Sequence, residues 1–309
     1  MKYLLLVAVT LLIYGCKRDG LMNELPVKDT RQAVTFEVSG VSFFNTTPTA
    51  GTAQKQIRGY DDSFYVKYKI EDFIYLIFDS KGNLVSRYQQ TSGLDADTLF
   101  KILNNDKQQI KAPFEFGKLT DSLMAGEYTL LMVGCPKYLM YNKDVPCLGN
   151  QDRFPPFPLA QTLINYPSAQ IVRPIYAYKS KFTVGNGALT ISAPLNRIGG
   201  DLQIVLEDAM PNNAKMITAT VNFEYTGYNF GTGLPAVNSE PVVFGSDVNP
   251  ENYGKRAFTF SHYLLNTATP FDVTLICYGD TNQIISTKRI TGVRVGLNTT
   301  KVLYTKLFD

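Results

Sequence analysis

Residues 73–85 read Phe73-Ile74-Tyr75-Leu76-Ile77-Phe78-Asp79-Ser80-Lys81-Gly82-Asn83-Leu84-Val85, and this stretch decides the fold class. The continuous apolar run Phe73 to Phe78 reads as a strand lying centrally in a sheet. Asp79-Ser80-Lys81-Gly82 is a turn, because glycine tolerates positive φ there. Leu84 to Tyr88 then returns as the hairpin partner. Upstream, Val34, Phe36 and Val38 alternate with Thr35, Glu37 and Ser39, the pattern of a half-buried strand. Phe64, Val66, Tyr68 and Ile70 repeat that alternation. Residues 45–62, rich in Thr, Gly, Gln and Asp, read as a long exposed loop between the two.

Downstream, residues 94–104 break the alternation. Leu99, Ile102 and Leu103 share one helical face, and Asp95 or Asp97 stands where a cap belongs, so a short helix is predicted. Met124-Ala125-Gly126 is a turn into a core strand, Glu127 to Gly134. Residues 137–158 carry Pro146 and the cluster Arg153-Phe154-Pro155-Pro156-Phe157-Pro158, which denies the backbone its ladder bonds and marks a boundary.

The second half repeats the style. Strands are expected over 175–184, 188–195, 201–207, 217–225, 257–264, 271–277, 288–297 and 301–308, with a Gly-, Pro- and Asn-rich loop over 227–254. Long periodic helices are absent, which rules out a TIM barrel or a doubly wound sheet. The reading is all-β: two tandem antiparallel β-sandwich domains with at most short helices. Their expected limits are residues 33–158 and 159–309.

Composition narrows the function. The chain has 309 residues, 45% hydrophobic and 18% charged, which suits a packed core and not a disordered chain. Thirty Lys and Arg stand against 27 Asp and Glu, with the signs interspersed, so no nucleic-acid partner is expected. A single histidine excludes every site that needs two.

Export is written into the first sixteen residues. Lys2 is a positive n-region, and Leu4 to Ile13 is apolar apart from Thr10. Such a run is too short to span a bilayer, which needs about 20 residues. Ile13-Tyr14-Gly15-Cys16 follows, an apolar residue at −3 and a small one at −1 before cysteine, as in a bacterial lipobox. Residues 1–15 thus read as a lipoprotein signal, and acylated Cys16 is expected to anchor the chain in membrane lipid. Each buried methylene contributes about 0.8 kcal/mol, and several acyl chains together hold firmly. Residues 16–32 read as a tether that extends to roughly 50 Å at about 3.3 Å per residue.

Little catalytic chemistry is legible. His262, in Phe260-Ser261-His262-Tyr263, would have to serve any Ser-His-Asp triad, and no Gly-x-Ser-x-Gly elbow exists. Asp61-Asp62 and the Asp95, Asp97 pair lack the spaced ligands and central glycine of a calcium loop. No catalytic residue, metal or cofactor is assigned. Cys135 and Cys147 bracket a loop, and the exported compartment permits a disulfide there worth about 3 kcal/mol. Cys277 reads as a buried thiol. Tyr138, Tyr141, Phe154 and Phe157 read either as glycan contacts or as a packed lid.

Taken in order, four segments resemble the fimbrillin superfamily of Bacteroidetes, most closely its branch of lipid-anchored minor subunits. They are the signal ending in Cys16, and Val34-Thr35-Phe36 with residues 73–85 and Ala125-Gly126-Glu127-Tyr128-Thr129-Leu130. They continue with Arg197-Ile198-Gly199-Gly200-Asp201-Leu202 through Glu207-Asp208-Ala209-Met210-Pro211, and end with Asn298-Thr299-Thr300-Lys301-Val302-Leu303-Tyr304. The resemblance implies two transthyretin-like sandwiches end to end. It also implies a role as fimbrial anchor or accessory subunit that binds neighbouring subunits by strand addition. By this resemblance an anchor subunit keeps its lipid, here acylated Cys16 in outer-membrane lipid at the cell surface, and its first strand, here Val34, Phe36 and Val38. A stalk subunit is cut after an arginine, for which Arg58 is the candidate. The alternative is a surface lipoprotein that binds glycan or another ligand through its loops.

Overall fold

Inward-facing alternation dominates the chain, so regular structure in the described residues consists of strands and three short 3-10 turns, Leu159–Gln161, Pro250–Asn252 and Asp280–Asn282. The computed structural model describes residues 30–46, 56–59, 70–92, 98–103, 106–111, 114–135, 158–165, 174–238 and 241–308. The first strands are β1 (Gln32–Thr46), β2 (Gln56–Gly59), β3 (Asp72–Asp79), β4 (Leu84–Thr91), β5 (Thr98–Leu103), β6 (Asp106–Gln109), β7 (Lys118–Leu123) and β8 (Gly126–Cys135). Next come β9 (Leu163–Asn165), β10 (Tyr176–Val184), β11 (Leu189–Arg197), β12 (Gly200–Leu206), β13 (Met216–Val221), β14 (Tyr225–Asn229) and β15 (Leu234–Asn238). The last are β16 (Val242–Asp247), β17 (Phe258–Leu264), β18 (Phe271–Tyr278), β19 (Ile284–Val293) and β20 (Thr299–Thr305).

One layer runs β10-β8-β3-β4-β5-β6. The hairpin strands β10 and β11 pair only at Tyr176↔Arg197 and Ala177↔Asn196. They then diverge, β10 staying with β8 while β11 joins β1, which β7 flanks on its other edge. The two layers enclose one core: Phe73, Tyr75, Ile77 and Met132 from the first meet Val34, Phe36, Leu123 and Leu195 from the second. Around a second core β17-β12-β20 lies against β16-β13-β18-β19, with Leu202 and Ile204 packed with Ala219, Val273 and Leu275.

The small β15-β14-β9 sheet supplies Tyr228 to a third core with Ile74, Leu76, Phe78, Leu131 and Val133, which Phe230, just beyond β14, also joins. β3 is therefore buried on both faces, which explains its unbroken apolar run.

Several expectations need correction. Residues 98–103 form β5, paired with β4 and β6, and not the short helix expected over 94–104. Three apolar residues over so short a span fit either period, and an available strand edge decides between them. Asp95 and Asp97 lie outside the described residues, as do Asp61, Asp62 and most of the expected 64–70 strand. β1 does not stop at Val38 but runs to Thr46, and β2 pairs with it inside the expected 45–62 loop. The expected 227–254 loop holds most of β14 with β15 and β16.

The sheets are mixed and not wholly antiparallel, since β1 runs parallel to β11 and β20, and β12 parallel to β20. Alternation sets which face a side chain takes, but not which strand lies alongside or in which direction. The hydrophobic clusters change over between Leu195 and Leu202. β10 and β11, which fall after residue 158, pack into the first cluster.

The changeover depends on Gly199 and Gly200. A Cβ on Gly199 would run into the Leu264 carbonyl oxygen and the Tyr263 ring, and one on Gly200 into Val295 and the Gly296 carbonyl oxygen. By contrast, a Cβ on Gly185 meets nothing within 4 Å. Gly199→Ala is therefore expected to cost about 1–3 kcal/mol in urea unfolding, while Gly185→Ala stays within about 0.5 kcal/mol of the parent. Equal effects would contradict this account of the junction.

Candidate functional site: the first-strand slot and its open edge

β1 occupies a slot with a partner on each side. Gln32 to Glu37 pair antiparallel with Leu123 to Lys118 of β7. Val34 to Ser42 pair parallel with Leu189 to Asn196 of β11, with a register shift between Val38 and Gly40. This two-sided ladder directs alternate residues inward: Val34 and Phe36 are fully buried and Val38 is 8% exposed. The Phe36 ring meets Phe182 of β10 edge-on at 5.6 Å. Thr35 faces outward, its hydroxyl 3.0 Å from that of Thr120 on β7.

The wall opposite β11 is fastened without β1. The Tyr75 hydroxyl donates to Gln90 Oε1 at 2.9 Å, and the same oxygen accepts the Gly117 N–H at 2.9 Å. Gln90 Nε2 donates to the Lys118 carbonyl at 2.5 Å. The Tyr88 hydroxyl donates to Asp121 Oδ1 at 2.7 Å. Burial, and then the Asp121 carboxylate, push the Tyr88 hydroxyl well above the usual phenol range, so it stays a donor. These bonds tie β4 of one layer to β7 and the turn before it.

Beside the slot, β10 pairs with β8 along its whole length. Its other edge, from Tyr178 to Val184, has no strand partner among the described residues. Half-buried Tyr178 and Phe182 line this opening and Lys179 and Lys181 flank it. Phe182 stacks on Tyr128 at 5.6 Å. An outward lysine such as Lys181 keeps an edge from pairing indiscriminately, whereas the Lys179 ammonium is held by the Phe230 and Gly231 carbonyls.

The other sequence candidates are dispersed. Arg58 stands inside β2, its backbone opposite Ser42 of β1, and not in a loop. Cys16 and Cys147 lie outside the described residues, as do Tyr138, Tyr141, Phe154 and Phe157. Cys135 is buried at the end of β8. Burial pushes the Cys277 thiol up to about 11, so it is held as the inert thiol. His262 lies on β17, its ring stacked 4.7 Å from Phe244, within an aromatic group rather than a catalytic one. The described residues hold no group of three or more His, Cys, Asp or Glu that could hold a metal ion.

Sequence reasoning missed the Tyr88, Gln90 and Asp121 fastening. Its signal was available: Tyr88 and Gln90 keep the inward parity of a strand, at positions where apolar residues are the rule. Glu224 was also missed. It is fully buried, and its Oε1 accepts N–H groups from Tyr225, Leu265 and Asn266 at 2.7–2.9 Å. Its Oε2 is buried without a hydrogen-bond partner.

No protein-family profile and no curated protein matches the chain by sequence. Solved structures match it in shape. A candidate adhesin from Bacteroides ovatus shares 11% identity over 84% of this chain and 77% of its own, with a TM-score of 0.50. A candidate cell adhesion protein from Bacteroides eggerthii shares 11% over 90% and 88%, also at 0.50. The fimbrial anchor protein Mfa2 from Porphyromonas gingivalis shares 14% over 89% and 90%, at 0.45. At these identities the likeness is one of fold.

Glu224 yields a pH prediction. Burial pushes its carboxyl up to about 7 against the hydrogen bonds that lower it. An acid whose folded pKa lies above its unfolded value costs stability as pH rises from the unfolded pKa to the folded one. Between about pH 4.5 and 7 it should therefore remove roughly 3 kcal/mol. Glu224→Gln keeps an acceptor at Oε1. It should match the parent at pH 4 and exceed it by roughly that amount at pH 8 in urea unfolding. Parallel stability curves for the two proteins would contradict this.

Proposed function

We propose that the protein is a non-enzymatic surface adhesion protein, acting as a fimbrial anchor or accessory subunit tethered by acylated Cys16. In this reading the chain comprises two tandem transthyretin-like sandwiches, the first closing with β11 and the second opening with β12. The observation that carries the proposal is the filled β1 slot with, beside it, a β10 edge that has no strand partner among the described residues. A retained first strand leaves the slot unavailable to a neighbour, so a neighbouring subunit adds its strand at an edge. Backbone bonds along Tyr178 to Val184 give affinity, and the half-buried rings of Tyr178 and Phe182 read alternate side chains.

Retention of β1 is supported by the position of Arg58. A protease needs an extended, unpaired segment, whereas residue 58 pairs with Ser42. The adhesion reading draws further support from the two Bacteroides structures described as candidate adhesion proteins.

The test is the intact mass of the native protein extracted from membranes, with both termini mapped. The expected species begins at acylated Cys16 and runs uncut to Asp309. A lipid-free species beginning at Gly59 and found in large assemblies would overturn the anchor reading and make the chain a polymerising stalk subunit.

A further inference from the structure

We propose that β1 is a tensile element: a load applied between the amino-terminal tether and the far end of the second sandwich is carried along it in shear. The argument starts from strand direction. β1 enters at Gln32, opposite Leu123, and the Gln32 side-chain oxygen accepts the Gly187 N–H from the β10–β11 turn at 3.0 Å. Its fifteen residues then run out of the first core and alongside the second. At about 3.3 Å per residue this is roughly 50 Å of one continuous strand. Its neighbours along that path, β11 and then β20, both run parallel to it.

In a parallel pair, the amino terminus of one strand and the carboxy terminus of the other lie at opposite ends. Pulling residue 30 one way and residue 308 the other therefore slides β1 along β20. β11 is loaded in the same sense, because it continues through Ile198 and Gly199 into β12, which is itself parallel to β20. All ladder bonds along the path are strained together and must fail in concert. Peeling parallel strands apart from one shared end strains a single bond at a time, and a single backbone hydrogen bond contributes little net. Forced unfolding follows the height of that barrier and not the equilibrium stability.

The ends and the middle of this path are pinned by side chains. At the far end, Asp208 Oδ2, just past β12, accepts the N–H groups of Leu307 and Phe308 at 2.7 and 2.5 Å. At the junction, Arg197 forms an ion pair with Asp201 across Gly199 and Gly200. There too, Asn298 Oδ1 accepts the Arg197 N–H at 3.2 Å and Asn298 Nδ2 donates to Asn196 Oδ1 at 3.1 Å. Fully buried Val34 and Phe36 must also leave their core before β1 can slide.

The inference goes beyond the adhesion reading and is tested without it. The chain without its signal and its acylated cysteine, residues 17–309, is held in a single-molecule force instrument in two geometries. One attaches handles at the two termini. The other attaches them at the amino terminus and at exposed position 186, where β1 and β11 begin side by side. The expected result is a rupture force severalfold higher in the end-to-end geometry. Equal forces, or a β1 that slips out at the lower force when the termini are pulled, would overturn the proposal. Failure of the adhesion reading would appear separately, in the terminal mapping of the native protein.

Discussion

The burial of Val34, Phe36 and Val38, with ladder bonds on both edges of their strand, is the constraint on which the rest of the molecule depends. Each such side chain contributes about 1.5–3 kcal/mol, against a net stability of about 5–15 kcal/mol for a typical native protein. Their loss would remove a large share of what holds the fold together. It would also unpair the inner edges of β7 and β11. The layer opposite β10-β8-β3-β4 consists of these three strands, so without β1 the first core has one complete layer and two separated ribbons.

The same strand joins the two main cores. β1 leaves the first core at the register shift near Gly40 and ends beside β20. Close by, β11 turns into β12 through two glycines with no room for a side chain. The third core reinforces this junction: Tyr228 and Phe230 from the second half of the chain cover the outer face of β3 and β8, and Tyr263 and Leu265 join them. Lys179 on β10 donates to the carbonyls of Phe230 and Gly231 at 2.7 and 3.0 Å. Covalent continuity, a close-packed turn and a shared core together link the two halves.

Where alternation or an unbroken apolar run set the signal, strands were legible. Phe73 to Phe78 and its return hairpin appear as β3 and β4, and the alternation of Phe271, Val273, Leu275 and Cys277 appears as the fully inward face of β18. Direction and neighbour were not legible, because parallel pairing of β1 with β11 depends on strands more than 140 positions apart. Residues 98–103 show the other limit: a short apolar set fits a helix or a strand, and the free edge of β4 chose the strand. The fastening by Tyr88, Gln90 and Asp121 had a signal, polar residues with inward parity, but their partners follow only from the closed sandwich. Glu224 had none, since nothing in Phe223-Glu224-Tyr225 distinguishes a buried carboxyl from a solvated one.

Amide hydrogen exchange on the native chain tests the central place of β1 most directly. If β1 is an integral strand, the amides of Val34 to Val38 open only with the whole molecule and exchange as slowly as those of Leu130 to Val133 in β8. Exchange of the β1 amides orders of magnitude faster than those of β8, at rates insensitive to global stability, would show a strand that leaves its slot on its own and would contradict the account.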